Sequence, residues 1–568
     1  MLLVTIPLSQ RTRSEPVTRI HPTFWMGAKA AEVRIGERLI GKETNNLRTL
    51  DYMALRGFAM AVVLACGVAS GQNATTVENQ TPTVKLFPEM QKDKPEKVMT
   101  PEQAKELFAS VDDIMTFVAS DTGLPAVVKV KRKLLNRDEV NAYLVKSFDE
   151  DEGAKRLQQS EIVLKKFGLL NRDFNLRPFL LSLLTEQIAG FYDAKTKFVN
   201  LLNWVQPDEQ KPVLAHELTH AVQDQKVGLE KWGSNGFKGV SKSASEDAQR
   251  VPADELETAR QAVTEGQAMV VFVDYSLPKG QTLADVPDMG KTIADNAADT
   301  SGSPVMARAP LLLQRSLVFP YADGLAFEQA LLIKGGKAAA FTGALTTPPS
   351  SSFEIMHPAA YLAHAAVPLL RLPNIHPLLD AEYEPYDLGV MGELDVEIMA
   401  SLFGGEDLGK AIAPQWDGGV YYAGQRRAAT AAEKLTPGSL GVFYLSRWKT
   451  EEAAETFAKM YTAQLARKYS GLSERRKDEV DREIVMTTSE GDVLMTLIGK
   501  DFFVSEGFPL ATARKIRELA VAVQGTGPMR MAGFAPPKRE LTLDAAGVMA
   551  GFGMINPTTV GRYTQSGR

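Results

Sequence analysis

One short stretch constrains this chain more than any other: residues 214–225, with the sequence LAHELTHAVQDQ. Its apolar positions predict a helix, and a helix places His216 and His220 on the same face, one turn apart. Two neutral imidazoles so arranged can hold one Zn²⁺ ion. Glu217 directly follows the first histidine and can act as a general base beside the ion. The pattern therefore predicts a hydrolytic zinc site.

The composition makes this histidine pair more informative. The chain has 568 residues but only six histidines, and its single cysteine, Cys66, excludes an intramolecular disulfide and a thiolate metal site. An ordinary amphipathic helix is the alternative explanation for the pair. The apolar neighbours would then bury two imidazoles and a carboxylate, and such groups need partners when they leave water. A metal site supplies those partners.

A third metal ligand is needed, because catalytic zinc usually has three protein ligands and one open position. No histidine follows at the compact metzincin spacing, where Lys226 stands instead. A glutamate on the next predicted helix is the better candidate. We predict Glu265 as the third ligand, with Glu257 and Glu255 as the alternatives on the same helix. An ordinary surface role for Glu265 is the competing interpretation.

That second helix is predicted to begin with Asp254 as its cap and to run to about Tyr275. Gly266 lies in its interior, where glycine costs on the order of 1 kcal/mol relative to alanine. A close approach of another backbone, or a metal site, would explain why glycine stands there.

The motif helix resembles that of the thermolysin-type gluzincins, which are zinc peptidases. The wider pattern is similar to a group of secreted bacterial and archaeal metallopeptidase-like proteins, and the similarity spans roughly residues 100–425. The resemblance implies a zincin-like domain, predominantly helical around a small sheet. Thermolysin-type proteins have an aspartate four residues after the third ligand, where this chain has Met269, so we expect Asp224 to orient a histidine instead. The stretches that carry the wider resemblance are 190–193, 265–268, 319–321 and 354–358.

These residues predict hydrolysis of peptide bonds in a protein or peptide substrate by a zinc-activated water, with Glu217 as general base. The strand 198–202 could pair with an extended substrate by strand addition, as gluzincin edge strands do. His357 and Tyr361 are candidates for the donor that stabilises the oxyanion. For His357, packing or helix capping is an equally good interpretation.

The N-terminal region indicates export. Residues 53–71 contain a basic start, a short apolar core and small residues, which is typical of a secretory signal. Residues 1–52 would then be an extension that the native protein lacks; alternatively they are a genuine cytoplasmic extension before an internal apolar helix. Cleavage could fall near residues 69–71, or Cys66 could become a lipid anchor. We expect an extracytoplasmic protein with no membrane span in the mature chain.

The organisation along the chain predicts an α+β fold. After a linker at 72–99, Thr100 and Gln103 form a capping box for the first helix of the metallopeptidase region 100–425. A strand is expected at 126–130 and a hairpin at 190–202. A small α+β subdomain at 436–523 combines strand-like segments with a helix at 450–469, and a disordered tail follows at 524–568.

A second functional hypothesis stays open at this stage. The chain could be a non-catalytic extracytoplasmic module that binds zinc or another protein. Glu217 argues against it, because a purely structural zinc site does not need that carboxylate. Nucleic acid is not an expected partner, because the net charge is −5 at pH 7 and no basic run carries interleaved aromatic residues.

Overall fold

A computed structural model of the chain describes residues 98–525, except for 150, 234–240, 242, 287–302 and 479–482. The predicted extension 1–52, the signal 53–71 with Cys66, nearly all of the linker 72–99 and the tail beyond 525 lie outside the described residues. Helices and strands are mixed through the rest, so the α+β class is confirmed.

The elements of the N-terminal half are mostly helical and enclose one small sheet. In chain order they are α1 (Pro101–Thr122), β1 (Lys131–Leu135), α2 (Arg137–Asp149), α3 (Asp151–Phe167), α4 (Leu176–Gln187), β2 (Phe191–Asp193), β3 (Phe198–Leu202), α5 (Pro207–Val227), α6 (Leu229–Trp232), α7 (Ala244–Arg250), α8 (Ala253–Ser276), α9 (Pro304–Ala307) and α10 (Leu311–Lys337). A π-helical segment, Ala338–Gly343, follows α10 directly.

The C-terminal half alternates short helices with a larger sheet. Its elements are α11 (Ala344–Thr346), α12 (Ser352–Met356), α13 (Pro358–Leu362), α14 (His376–Leu379), β4 (Tyr383–Gly389), α15 (Glu393–Gly404), α16 (Glu406–Ile412), β5 (Trp416–Arg426), β6 (Leu440–Trp448), α17 (Glu451–Lys468), β7 (Ser473–Asp478), β8 (Glu483–Thr488), β9 (Gly491–Ile498), β10 (Asp501–Glu506) and α18 (Leu510–Ala522).

Local sequence signals account for several helix ends. The predicted capping box is present at α1, where Gln103 N donates to Thr100 Oγ1 at 3.2 Å and Thr100 N donates to Gln103 Oε1 at 2.9 Å. Gly228 ends α5 in the left-handed region with φ 70°, where glycine carries no Cβ penalty. The predicted cap of α8 is wrong: the helix begins at Ala253, and Asp254 lies inside its first turn.

The small sheet has the strand order β1–β3–β2, with β3 parallel to β1 and antiparallel to β2. The hairpin prediction is confirmed, but the predicted strand at 126–130 is wrong, because β1 begins only at Lys131. Residues 126–130 form a loop held to the end of α5. Gln225 Oε1 accepts hydrogen bonds from the backbone N–H groups of Val127 and Val128 at 2.7 and 2.8 Å.

Helices α1, α5, α8 and α10 pack side by side in this order. The motif helix α5 therefore lies between α1 and α8. The prediction that Gly266 marks a close backbone approach is confirmed. A Cβ added at Gly266 would lie 2.3 Å from the carbonyl oxygen of Gly324 on α10, which is closer than real Cβ contacts. Two glycines therefore allow α8 and α10 to cross with their backbones almost in contact.

The larger sheet has seven antiparallel strands in the order β4–β5–β6–β10–β9–β8–β7. The strands and the helix predicted within 436–523 are confirmed as β6, α17, β8 and β9. Strands β4 and β5 precede that segment, so the boundary predicted at residue 436 falls between two hydrogen-bonded strands, β5 and β6. Phe167 of α3 packs edge-on against Tyr421 and Tyr444 of this sheet.

Across the part of the chain that the structure describes, no helix has both the length and the apolar character needed to cross a membrane.

Candidate metal centre

The three predicted metal ligands converge on one point. Glu265 Oε2 lies 3.2 Å from His216 Nε2 and 3.4 Å from His220 Nε2, and the two Nε2 atoms are 3.2 Å apart. In the described parts of the chain, these side chains form the only group of three or more histidine, cysteine or acidic residues whose ligand atoms all lie within 4.8 Å of one another. The group could hold a metal ion.

The electrostatics of the group favour a cation. Burial alone would lower the pKa of His220, but the charge and hydrogen bond of Glu265 raise it to about 9. Burial alone would raise the pKa of Glu265, but the charge of His220 and hydrogen bonds from both histidines hold it well below its usual value. The carboxylate therefore stays ionised although it is buried, and its charge is directed at the space between the imidazoles.

The donor set fits a metal ion of intermediate hardness, such as Zn²⁺. Two imidazole nitrogens and one carboxylate oxygen are the combination that zinc takes in many hydrolases, where a fourth position stays open. His216 and Glu265 are buried, and His220 is partly exposed.

Glu217 is held by the backbone of β2. Its Oε2 atom accepts a hydrogen bond from the Tyr192 N–H at 2.7 Å, which leaves Oε1 for other partners. The predicted substrate strand 198–202 is wrong, because β3 is the central strand of its sheet and pairs on both sides. The strand that contacts the general-base candidate is β2, at one edge of that sheet.

The hydrogen-bond partners of Asp224 differ from the histidine expected for it. Its carboxylate accepts hydrogen bonds from the Tyr192 hydroxyl at 2.9 Å, from Lys197 Nζ at 2.5 Å and from Leu229 N at 3.1 Å. The contacts with Tyr192 and Lys197 attach the β2–β3 hairpin to α5. His220 is oriented by Gln223 instead, whose Oε1 lies 2.9 Å from His220 Nδ1. Helical spacing could have suggested Gln223, because it lies three residues after the histidine.

Tyr321 of α10 also belongs to the centre. Its ring lies nearly parallel to the His216 imidazole, with 6.1 Å between centroids and 19° between planes. Burial, and then the charges of Glu265 and Glu217, raise the pKa of the Tyr321 phenol well above its ordinary value, so the phenol stays neutral. Residues 319–321 contributed to the family resemblance, but no sequence signal connected them with the histidines, because the contact depends on how α5 and α10 lie relative to each other.

The remaining candidates, His357 and Tyr361, have hydrogen-bond partners other than the three ligands. His357 Nε2 lies 2.8 Å from Glu393 Oε2, and its ring packs on Phe353. The Tyr361 hydroxyl donates to Thr347 O at 2.7 Å. Among the described residues, no hydrogen bond or ion pair links either side chain to the metal ligands.

Neither of the alternative third ligands belongs to the cluster. Glu255 Oε2 accepts hydrogen bonds from Ser351 Oγ at 2.6 Å, from Ser352 N at 2.9 Å and from Ser352 Oγ at 2.8 Å. Glu257 is buried elsewhere on α8. Glu265 is therefore the carboxylate of the group.

Comparisons of the chain with models of protein families, with curated proteins and with solved structures find no match.

Proposed function

We propose that this chain is a zinc-dependent metalloendopeptidase. The observation that carries the proposal is the convergence of His216, His220 and Glu265, with Glu217 beside them and held at Oε2 by the Tyr192 N–H. The resemblance of residues 214–225 to gluzincin motif helices supports the same assignment. The three converging side chains would hold the ion, and Glu217 would be the general base.

The chemistry divides between the ion and the protein. When bound, zinc supplies Lewis-acid activation of water and of the peptide carbonyl. Glu217 accepts a proton from the attacking water at Oε1, because Oε2 is occupied by the Tyr192 N–H. The same carboxyl group then delivers the proton to the leaving amine nitrogen. A general base anchored at one oxygen loses little freedom when it meets the water, which favours the reaction.

An extended substrate would run along β2. The Tyr192 N–H points away from β3, because it donates to Glu217, and the alternation of an antiparallel strand turns the Tyr192 carbonyl to the same side. That carbonyl could accept a hydrogen bond from the substrate backbone, so the peptide would lie beside the general base. We therefore propose that the substrate pairs with β2, and not with β3 as the sequence suggested.

We propose an extracytoplasmic location, on the evidence of the signal-like residues 53–71. Determination of the N-terminal residue of the mature protein tests this proposal. A start near residues 69–71, or at a lipidated Cys66, would support export. A mature chain that begins at Met1 would support the cytoplasmic alternative.

The test of function compares three zinc-loaded proteins on a broad peptide library. The wild type should cleave peptides, whereas Glu217→Gln should retain zinc and lose hydrolysis by at least two orders of magnitude. Glu354→Gln is the matched control, because Glu354 is a buried carboxylate that binds Ser350 and should be dispensable. A wild-type protein that binds zinc and cleaves nothing would favour the non-catalytic zinc-binding module.

A further inference from the structure

A chain of buried glutamine amides extends from His220 into the protein. Gln223 Oε1 lies 2.9 Å from His220 Nδ1. The other end of the same amide, Gln223 Nε2, donates to the Thr264 carbonyl at 3.0 Å and to Gln267 Oε1 at 2.9 Å. Both glutamines are fully buried, so water does not compete for these hydrogen bonds.

The hydrogen bonds of Gln267, at the inner end of this row of amides, determine the direction of the other hydrogen bonds in the row. Gln267 Nε2 donates to the carbonyl oxygens of Ala340 and Phe341, at 2.8 and 3.1 Å. Carbonyl oxygens only accept, so the Gln267 NH₂ group must face them and its oxygen must face Gln223. The Gln223 NH₂ group then faces Gln267, and its oxygen faces His220.

We infer that Gln223 and Gln267 form an amide relay that keeps the proton of His220 on Nδ1 and leaves Nε2 for the metal. Both are positioning residues, and the inference rests on the metal role proposed above. Gln223 Oε1 has no proton to give, so His220 Nδ1 must be the donor. His220 Nε2 is the atom that faces His216 and Glu265, as a ligand must.

The relay supplies the acceptor for the second N–H group of His220. In most metal sites a carboxylate, a single backbone carbonyl or water is this acceptor. Here the acceptor is a neutral amide whose orientation depends on a second amide and on the π-helical segment Ala338–Gly343. Such single-turn π segments are frequent at functional sites.

This polarity makes an unusual prediction for Gln223→Glu. A carboxylate that served only as an acceptor for His220 would preserve or strengthen zinc binding. In the relay, however, the second oxygen of Glu would face the Thr264 carbonyl and Gln267 Oε1, which are both acceptors. Gln267 cannot turn its NH₂ group toward this oxygen without presenting its own oxygen to two backbone carbonyls. Gln223→Glu should therefore weaken zinc binding.

The test measures zinc affinity by competition with a chelator on the full chain. Gln223→Ala should lower the affinity about 10- to 100-fold, and Gln223→Glu and Gln267→Met roughly tenfold. Gln329→Met is the matched control, since Gln329 is also a buried glutamine that donates to two carbonyls, those of Leu283 and Val286. It should leave the zinc affinity unchanged.

Other results would overturn the relay. Tighter zinc binding by Gln223→Glu would show that Gln223 acts as a simple acceptor. Unchanged binding by Gln267→Met, or an equal loss in Gln329→Met, would show that the second amide has no specific effect.

A measurement without metal separates this inference from the proposed function and does not need the variants to fold. In wild-type protein selectively labelled with ¹⁵N-histidine, the His220 Nδ1 proton should exchange slowly with solvent. A wild type that binds no zinc but shows this proton would refute the metal role and support the relay. An unprotonated or rapidly exchanging Nδ1 would refute the relay, whatever the zinc affinity.

Discussion

Gly266 and Gly324 bring two helices close enough that a Cβ on either residue would lie 2.3 Å from a carbonyl oxygen of the other helix. Glu265 directly precedes Gly266 on α8, and Tyr321 lies one turn before Gly324 on α10. The glycine contact therefore determines how closely the tyrosine approaches the carboxylate ligand. The crossing of α8 and α10 at Gly266 and Gly324 therefore also positions residues of the metal centre.

Gly266→Ala should destabilise the protein by about 1 to 3 kcal/mol, although alanine is the better helix former. The added methyl group meets backbone atoms of Gly324, which cannot turn away as a side chain can. Thermal unfolding should show a lower midpoint, and zinc affinity should fall in the folded variant. Gly525→Ala is the control, because a Cβ there meets nothing within 4 Å. An unchanged midpoint for Gly266→Ala would contradict the tight crossing.

Tyr321→Phe removes the hydroxyl near Glu265 and keeps the ring beside His216. We expect zinc affinity to fall about tenfold, since the partners of metal ligands usually contribute effects of 10- to 100-fold. Tyr321→Leu also removes the ring and should lower the affinity further. Tyr361→Phe serves as the control, because that hydroxyl binds the Thr347 carbonyl. Equal affinities for all four proteins would show that Tyr321 only fills space.

The parts of the molecule that the sequence predicts correctly depend on short-range patterns. Capping at Thr100, the end of α5 at Gly228 and the pairing of His216 with His220 all follow from spacing within one helix. Glu265 could be chosen because it combines helical context with a neighbouring glycine. In each case the physical cause lies within a few residues of the signal.

Long-range partners could not be predicted in the same way. The parallel pairing of β1 with β3 places β3 in the centre of its sheet, and no local pattern in 198–202 indicates this. Asp224 and Gln223 are adjacent in the sequence, yet only Gln223 faces His220, because the β2–β3 hairpin engages the aspartate. The periodicity of a segment does not predict contacts that depend on how separate elements pack.

Asp224→Asn separates the structural assignment of Asp224 from the one predicted by sequence. The structure attaches the carboxylate to Tyr192 and Lys197, so the variant should loosen the hairpin that holds Glu217. We expect zinc affinity to stay within about twofold of the wild type while kcat falls at least tenfold. Isothermal titration with zinc and steady-state kinetics measure the two effects. A large loss of zinc affinity would restore the histidine-orienting role.

Asp274 should make stability depend on pH. Burial and the charge of Asp121 raise the pKa of Asp274 to about 7, whereas an unfolded chain has a value near 4. The folded state therefore binds the extra proton between these values, and this contribution to stability is present below about pH 4 and is lost as the pH rises through about 7. Over that window the wild type should lose about 2 to 4 kcal/mol more than Asp274→Asn does. Unfolding midpoints of both proteins at pH 5 and pH 8 measure the difference. If the midpoint changed equally with pH in the wild type and in Asp274→Asn, the role of Asp274 would be contradicted.

Glu506 compensates buried positive charge beneath the larger sheet. Its carboxylate accepts from Lys468 Nζ at 2.6 Å and from the hydroxyls of Tyr461 and Tyr469. Burial opposes ionisation, but the charges of Lys468 and Lys166 hold the pKa of Glu506 below its usual value. The carboxylate is therefore ionised in the folded protein, and its removal would leave the buried Lys468 ammonium group without its carboxylate partner, whereas Lys166 keeps Glu490.

Glu506→Gln should accordingly destabilise the protein by about 3 to 5 kcal/mol, measured by denaturant unfolding. The double variant Glu506→Gln/Lys468→Met removes the uncompensated ammonium group next to the lost charge, so it should be more stable than Glu506→Gln alone. Charge is the decisive term here, because Gln keeps an oxygen that accepts from one tyrosine hydroxyl and an NH₂ group that can donate to the other. If the double variant were the less stable of the two, packing of the Lys468 side chain would outweigh its charge, and the role assigned to Glu506 would be wrong.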